Sequence, residues 1–209
     1  MVECAIVAII AYLIGSINFS VILSKKMAGF DLRDKGSGNA GTTNVLRTVG
    51  KKAAIITLIC DILKGVVAIL IAMLVGKIVQ GSNASLLVQC AGVAVILGHT
   101  FPIFFKFKGG KGVATSLGVL IMSNWQIGLI CLVFALILIA LTQMVSVGSI
   151  AAAILYPVLT LFIPQNYIIP GNYLIYSVVL AVIIVFNHRE NVKRLLKGTE
   201  NKISFKTVK

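Results

Sequence analysis

Val113-Ala-Thr-Ser-Leu-Gly-Val-Leu-Ile-Met-Ser123, followed by Asn124-Trp125, is the stretch on which the topology turns. It is strongly apolar, yet shorter than the roughly 20 residues that a helix needs to cross about 30 Å of hydrocarbon. Two readings are open: a short crossing of its own, or the first part of one long helix that continues through 126–142. Trp125 favours a break, because tryptophan gathers at the membrane–water boundary. The choice sets the parity of the chain, and with it the side on which the C-terminus lies.

Around this stretch stand six longer apolar runs, 4–24, 53–75, 84–105, 126–142, 144–163 and 172–187. Of the 209 residues 58% are hydrophobic and only 12% are charged, whereas a soluble domain carries about a quarter charged residues. The apolar residues are gathered into spans, so the chain reads as one polytopic membrane domain, 1–209, without a long repeat or a soluble unit. The first run is expected to stay in the mature fold. Met1-Val2-Glu3 carries no base, unlike the start of a secretory signal.

The charges address parity. Loop 25–52 carries seven Lys or Arg, loop 106–112 carries three and the tail 188–209 carries seven, so 17 of the 19 bases fall in these segments. If 113–123 crosses, all three lie on one side; if it does not, the tail's seven move to the other. Lys and Arg collect in cytoplasmic loops. The expected fold is therefore all-α with seven transmembrane helices, N-terminus outside and C-terminus cytoplasmic. The net charge of +13 is explained by the same rule and calls for no nucleic-acid partner. Cys4, Cys60, Cys90 and Cys131 are scattered through apolar runs and read as small buried residues, not as disulfides or metal ligands.

Three polar clusters stand out against this scaffold. Lys35-Gly36-Ser37-Gly38-Asn39-Ala40-Gly41-Thr42-Thr43-Asn44, followed by Arg47, alternates glycines with neutral donors and ends in a guanidinium. Glycines let amides approach an anion closely, and Arg matches phosphate with a planar fork. Phe107-Lys108-Gly109-Gly110-Lys111-Gly112 leads into the run at 113, where free helix-start amides would face an anion. It is not a Walker loop, since Gly112 stands where Ser or Thr is needed. His99, in Gly98-His99-Thr100, is as consistent with structural hydrogen bonding as with substrate contact. Asn187-His188-Arg189-Glu190-Asn191 closes the last span, followed by Arg194 and Gly198-Thr199-Glu200; His188 and Asn191 share a helix face, and Glu190 and Arg194 are spaced to pair. Inside 53–75, Asp61 and Lys64 form either a packing ion pair or a polar link to the site.

Taken together, GSGNAGTTNVLR at 36–47, DILKG at 61–65, GHTFPIFFKFKGGKGVAT at 98–115 and NHRENVKRLLKGTE at 187–200, with Gly15-Ser16, resemble the bacterial acyl-phosphate:glycerol-3-phosphate acyltransferases. The resemblance runs nearly end to end. It implies a seven-helix plasma-membrane enzyme with its site at the cytoplasmic face and no cofactor or metal. Such an enzyme moves a fatty acyl group from acyl phosphate to the 1-hydroxyl of sn-glycerol 3-phosphate, giving lysophosphatidic acid and phosphate for phospholipid synthesis. Carried over, Ser37, Arg47, Lys111, His188 and Asn191 would hold the glycerol phosphate. Gly38, Asn39, Gly41, Thr42, Thr43 and Asn44 would cradle the acyl phosphate. Gly109 and Gly110, from the residue reading, and Ser146, from the resemblance, complete the expected binding set. Before Val145-Ser146 the sequence departs from the family, with Gln143-Met144 in place of Arg-Tyr. Membrane lipids are expected partners, and the acyl-phosphate-producing enzyme is a further candidate.

The residues also speak against other acyl-transfer chemistries. Neither His99 nor His188 is followed five residues later by an acid, and no Gly-x-Ser-x-Gly elbow exists. The family is understood to let the phosphate of the acyl donor take the hydroxyl proton, the protein adding orientation and charge. The alternative reading is a membrane transporter of a phosphorylated anion, which would place its site near the bilayer midplane between repeated halves.

Overall fold

The computed structural model describes residues 1–163 and 169–203; 164–168 and 204–209, with the tail bases Lys206 and Lys209, lie outside the described residues. The first apolar run, expected as one helix over 4–24, is two: α1 (Val2–Gly15) and α2 (Phe19–Ala28). Asn18 starts the second by accepting from the Val21 amide at 3.2 Å and the Ser20 hydroxyl at 2.7 Å. The break frees the carbonyls of Gly15 and Ile17, and Lys64 Nζ donates to both, at 3.1 and 3.2 Å. In hydrocarbon such carbonyls need a partner within the protein, so the break and the buried lysine explain each other.

A loop then leads to the short α3 (Thr42–Thr48), followed by α4 (Lys51–Ile78), which carries Lys64, and α5 (Ala84–Thr100). Close packing among these helices comes from glycines whose missing side chain admits a neighbour's backbone. The Val95 carbonyl fills the side-chain position of Gly15, and the Tyr12 carbonyl fills that of Gly98, locking α1 to α5.

The quoted stretch forms α6 (Val113–Ser123) and is followed by α7 (Trp125–Thr142). Gly65 and Gly118 hold α6 against α4, each admitting a carbonyl of the other helix. Asn124, with φ −151°, separates α6 from α7, and its Oδ1 accepts from the Ile127 amide at 3.1 Å. Gly128 lies against the backbone of Leu120 and Ile121. In one continuous helix these residues would be about 10–12 Å apart along the axis, so the chain folds back at Asn124. The single long helix is thereby excluded.

The chain continues through α8 (Val145–Phe162), α9 (Leu174–Asn187) and α10 (Arg189–Leu196), the last bent by 60° from α9 at His188. Among the described residues five apolar stretches are long enough to cross a bilayer, Val2–Ala28, Lys51–Ile78, Ala84–Phe105, Trp125–Thr142 and Val145–Phe162, and the bent pair α9–α10, taken as one span, makes a sixth. Val7, Ile69, Leu87, Val95 and Ile127 fill the core, whereas Leu129, Val133, Leu136 and Leu141 of α7 point outward, as a lipid-facing helix requires. All four cysteines are free, and of these Cys131 is buried.

Candidate active site

A cavity of about 610 Å³ lies where the 35–47 loop, the starts of α6 and α8, and the end of α9 converge. Its walls change character along their length. One end is polar, with Ser37, Thr42, Arg47, Lys111, Ser146, His188, Asn191, Arg194 and Glu200. The remainder is a slot between helices, lined by Leu117, Leu132, Ala135, Ile139, Ala152, Ala153, Ala181 and Ile184.

The first loop is shaped from within by Asn44. Its Oδ1 accepts from the Ser37 amide at 3.0 Å, and its Nδ2 donates to the carbonyls of Leu32 and Lys35 at 3.2 and 3.0 Å. Asn44 lines the cavity, but its amide is occupied in bending the loop. Gly36 permits the bend, with φ +61° and the Asn44 carboxamide filling its side-chain position. Thr42 Oγ1 and, from α6, Ser116 Oγ are buried at the cavity wall with no hydrogen-bond partner among the described residues.

Lys111 is placed by Asn187, whose Nδ2 donates to the Lys111 carbonyl at 3.3 Å and to Thr100 Oγ1 at 3.1 Å. Lys111 Nζ donates to Asn191 Oδ1. From there a polar chain runs to Glu200, which accepts from Asn191 Nδ2 at 2.7 Å, Ser146 Oγ at 2.9 Å and Arg194 Nε at 2.9 Å. Arg47 reaches the Asn201 carbonyl at 3.5 Å, and the Ile203 amide donates to the Gln143 carbonyl at 2.7 Å. The tail therefore folds back over the polar end. Gln143, where the family pattern differs, serves as one of its anchors through its backbone.

Three cations, Arg47, Lys111 and Arg194, face one carboxylate at this end, and the electrostatics follow. Burial, with Arg194 and Arg47 nearby and only Glu200 opposing, pushes Lys111 down to about 8. Burial also lowers Arg47, with Glu200 opposing. Burial disfavours the charged Glu200, but the donors Asn191, Ser146 and Arg194 outweigh it and hold the carboxyl below its ordinary value. His188 Nδ1–H donates to the Ile184 carbonyl at 2.7 Å, which leaves Nε2 of the neutral ring as an acceptor.

Of the expected site residues, Ser37, Asn39, Gly41, Thr42, Thr43, Asn44, Arg47, Lys111, Ser146, His188 and Asn191 line the cavity. Gly38 and Gly109 do not; they line a separate cavity of about 480 Å³ with Asp31, Arg33, Asp34, Lys106 and Lys108. Nor does Gly110, whose side-chain position is filled by the His99 ring and the Ala40 carbonyl. Its glycine is required for loop packing. Glu190 and Arg194, spaced to pair, do not. Arg194 goes to Glu200 and the exposed Glu190 to Lys193 at 3.0 Å, because an enclosed carboxylate with further donors outcompetes an exposed pair worth a few tenths of a kcal/mol. Arg194 and Glu200 belong to the 187–200 motif but had no site role of their own in the sequence reading. The available signal was an acid, Glu200, three residues beyond the base-rich run Arg189–Lys197.

Comparison with known proteins gives a consistent result. A sequence profile of the family described as glycerol-3-phosphate acyltransferase matches residues 5–198. Proteins named glycerol-3-phosphate acyltransferase from Thermoanaerobacter pseudethanolicus and Clostridioides difficile are 46% and 43% identical, with 96% of both chains covered in each case. The crystal structure of PlsY (YgiH), an integral membrane glycerol 3-phosphate acyltransferase, in its glycerol 3-phosphate form, superposes with a TM-score of 0.85 at 38% identity over 96% of each chain. Its lysophosphatidic acid form gives 0.82 at 36% identity, over 96% of this chain and 95% of that one.

Proposed function

The chain belongs to the glycerol-3-phosphate acyltransferase family, and from that premise we propose that its acyl donor is an acyl phosphate, used at the cytoplasmic face of a bacterial plasma membrane. The protein is an integral membrane acyltransferase of phospholipid synthesis. The observation that carries the finer reading is a single cavity in which an excess of cations adjoins an apolar slot. A donor that is itself an anion with a fatty tail matches both parts.

In this reading Arg47, Lys111 and Ser37 hold the phosphate of glycerol 3-phosphate, and His188 Nε2 accepts from its hydroxyls. The 39–44 loop receives the acyl phosphate, whose chain enters the slot between α6, α7, α8 and α9. The 1-hydroxyl oxygen forms a bond to the acyl carbon, the bond from that carbon to the phosphate oxygen breaks, and the hydroxyl proton passes to the departing phosphate. The products are lysophosphatidic acid and inorganic phosphate. The two lining carboxylates are engaged elsewhere, Glu200 by three donors and Asp61 by Lys64 at 2.9 Å. That supports proton transfer to the donor's own phosphate. The cations stabilise the charge that develops there.

Seven crossings, with the N-terminus outside and the C-terminus inside, fit this placement. The fold-back at Asn124 sends α6 and α7 in opposite directions, and the basic loops gather at the cavity end. A reporter fused to the C-terminus and found outside would refute that topology. For the donor, purified enzyme is expected to convert acyl phosphate and glycerol 3-phosphate to lysophosphatidic acid with one phosphate released per turnover, in EDTA as well as without it. Activity with acyl-CoA or acyl carrier protein alone would overturn the reading. The acyl-phosphate-producing enzyme remains a proposed partner on the same ground, since an apolar anion gains from direct delivery.

A further inference from the structure

Beneath the two substrate loops lies a buried polar chain that the reaction scheme leaves unused. Lys64 Nζ contacts Asp61 Oδ1 at 2.9 Å, and the same oxygen lies 3.6 Å from His99 Nδ1. All three side chains are at most 5% exposed. The other edge of the ring faces the loop that carries Lys111. A side chain on Gly110 would collide with both His99 Nε2 and the Ala40 carbonyl. Gly110 thus packs against the His99 ring and the 36–44 loop together. Two backbone bonds hold this loop to the end of α5, from the Gly109 amide to the Thr100 carbonyl at 3.0 Å and from the Gly110 amide to the His99 carbonyl at 3.1 Å. Asp61 and His99 reach the cavity wall itself.

We propose that His99, oriented by Asp61, is a positioning residue that sets the spacing between the 36–44 loop and Lys111. The proposal rests on the reading that these two loops hold the two substrates. Lys64 fixes Asp61 to the α1–α2 break, so the ring is held from the middle of the bundle rather than from the surface. The consequence is kinetic. If each loop keeps its own shape but their separation changes, each substrate still binds, whereas the attacking oxygen and the acyl carbon lose alignment. A misplacement of about 1 Å carries a rate loss of about 100-fold, and it should fall on kcat.

The test compares full-length His99→Ala, Gly110→Ala, their double variant and His99→Asn in detergent. It measures kcat and KM for glycerol 3-phosphate with whichever acyl donor the wild type accepts, alongside thermal unfolding. His99→Ala is expected to lower kcat about 100-fold with KM within about threefold of wild type, the signature of an effect on the reacting geometry. Gly110→Ala should lower kcat too, because its new methyl meets the ring as well as the Ala40 carbonyl. The double variant should lose less than the product of the two singles, since the ring contact is shared. His99→Asn, whose amide nitrogen can take the place of Nδ1, should recover part of kcat. An unchanged kcat in His99→Ala overturns the proposal. So does a KM rise of more than about tenfold at constant kcat, which would mark direct substrate contact, and so do single losses that multiply in the double variant. If His99→Ala does not fold, unchanged kcat in both Gly110→Ala and His99→Asn overturns it. A wild type that accepts only thioester donors would refute the donor reading and leave this comparison intact, because it follows loop geometry and not donor identity.

Discussion

Among the described residues two charge clusters, one buried and one half-buried, differ in balance. Asp61 and Lys64 sit among the helices, each 3% exposed, with one negative and one positive charge, and the ammonium also serves two orphaned carbonyls. Arg47, Lys111, Arg194 and Glu200 sit at the polar end of the cavity, with three positive charges against one negative. Within protein a balanced pair is a closed unit, while an unbalanced group is costly unless a counter-charge arrives. The first cluster therefore holds helices and loops in place, and the second is poised for phosphate.

This contrast is open to attack from both sides. The largest expected effect is on the balanced cluster. Asp61→Asn leaves Lys64 uncompensated, and breaking a buried pair in this way costs about 3–5 kcal/mol. Thermal unfolding and the yield of inserted protein should both fall sharply; a variant as stable as wild type would show that the pair is dispensable. Next comes the unbalanced cluster. Lys111→Ala should insert and purify normally, yet lose about 10–150-fold in kcat/KM for glycerol 3-phosphate, the range for one charged hydrogen bond of about 1.5–3 kcal/mol.

The pH profile is a gentler probe of the same residue. The free enzyme's Lys111 is held at about 8, below the ordinary lysine value, and a bound phosphate favours its charged form. kcat/KM should therefore be level only near about pH 7 and below, fall to about half near pH 8 and keep declining as pH rises further. Lys111→Arg, which keeps its charge, should extend the plateau. An alkaline limb that does not move in Lys111→Arg would assign the titration to another group. The smallest effect is expected at Lys193, which is exposed and pairs with the exposed Glu190. Lys193→Ala should change kcat/KM by less than about twofold, because surface pairs contribute about 0–1 kcal/mol.

The apolar spans were legible because hydrocarbon leaves no other choice of side chain. The break at Ser16–Asn18 was not, because its compensating donor, Lys64, lies on another helix and is invisible to any local pattern. The 113–123 stretch was legible as a helix but not as one separate from 126–142, and Asn124 makes that break by capping α7. In the site, Arg47, Lys111 and the His188/Asn191 pair announced themselves as donors at the ends of spans. The glycines were harder. Gly41 lies at the cavity, while Gly110 is required because a ring occupies its side-chain position; in sequence the two look alike. Glu200 stood in the 187–200 motif but carried no site role for a related reason: an acid in a basic tail reads as solvated until the fold returns it to Ser146 and Asn191.

The most direct measurement of the central claim is kcat/KM for glycerol 3-phosphate in Arg47→Lys, set beside Lys193→Ala. Lysine keeps the charge but not the two-pronged donor geometry that a phosphate engages. A cationic pocket built for phosphate predicts a loss of more than about tenfold at Arg47, at least one charged hydrogen bond, with normal insertion and little change at Lys193. Equal and modest losses at both positions would contradict it and leave only a generally basic surface.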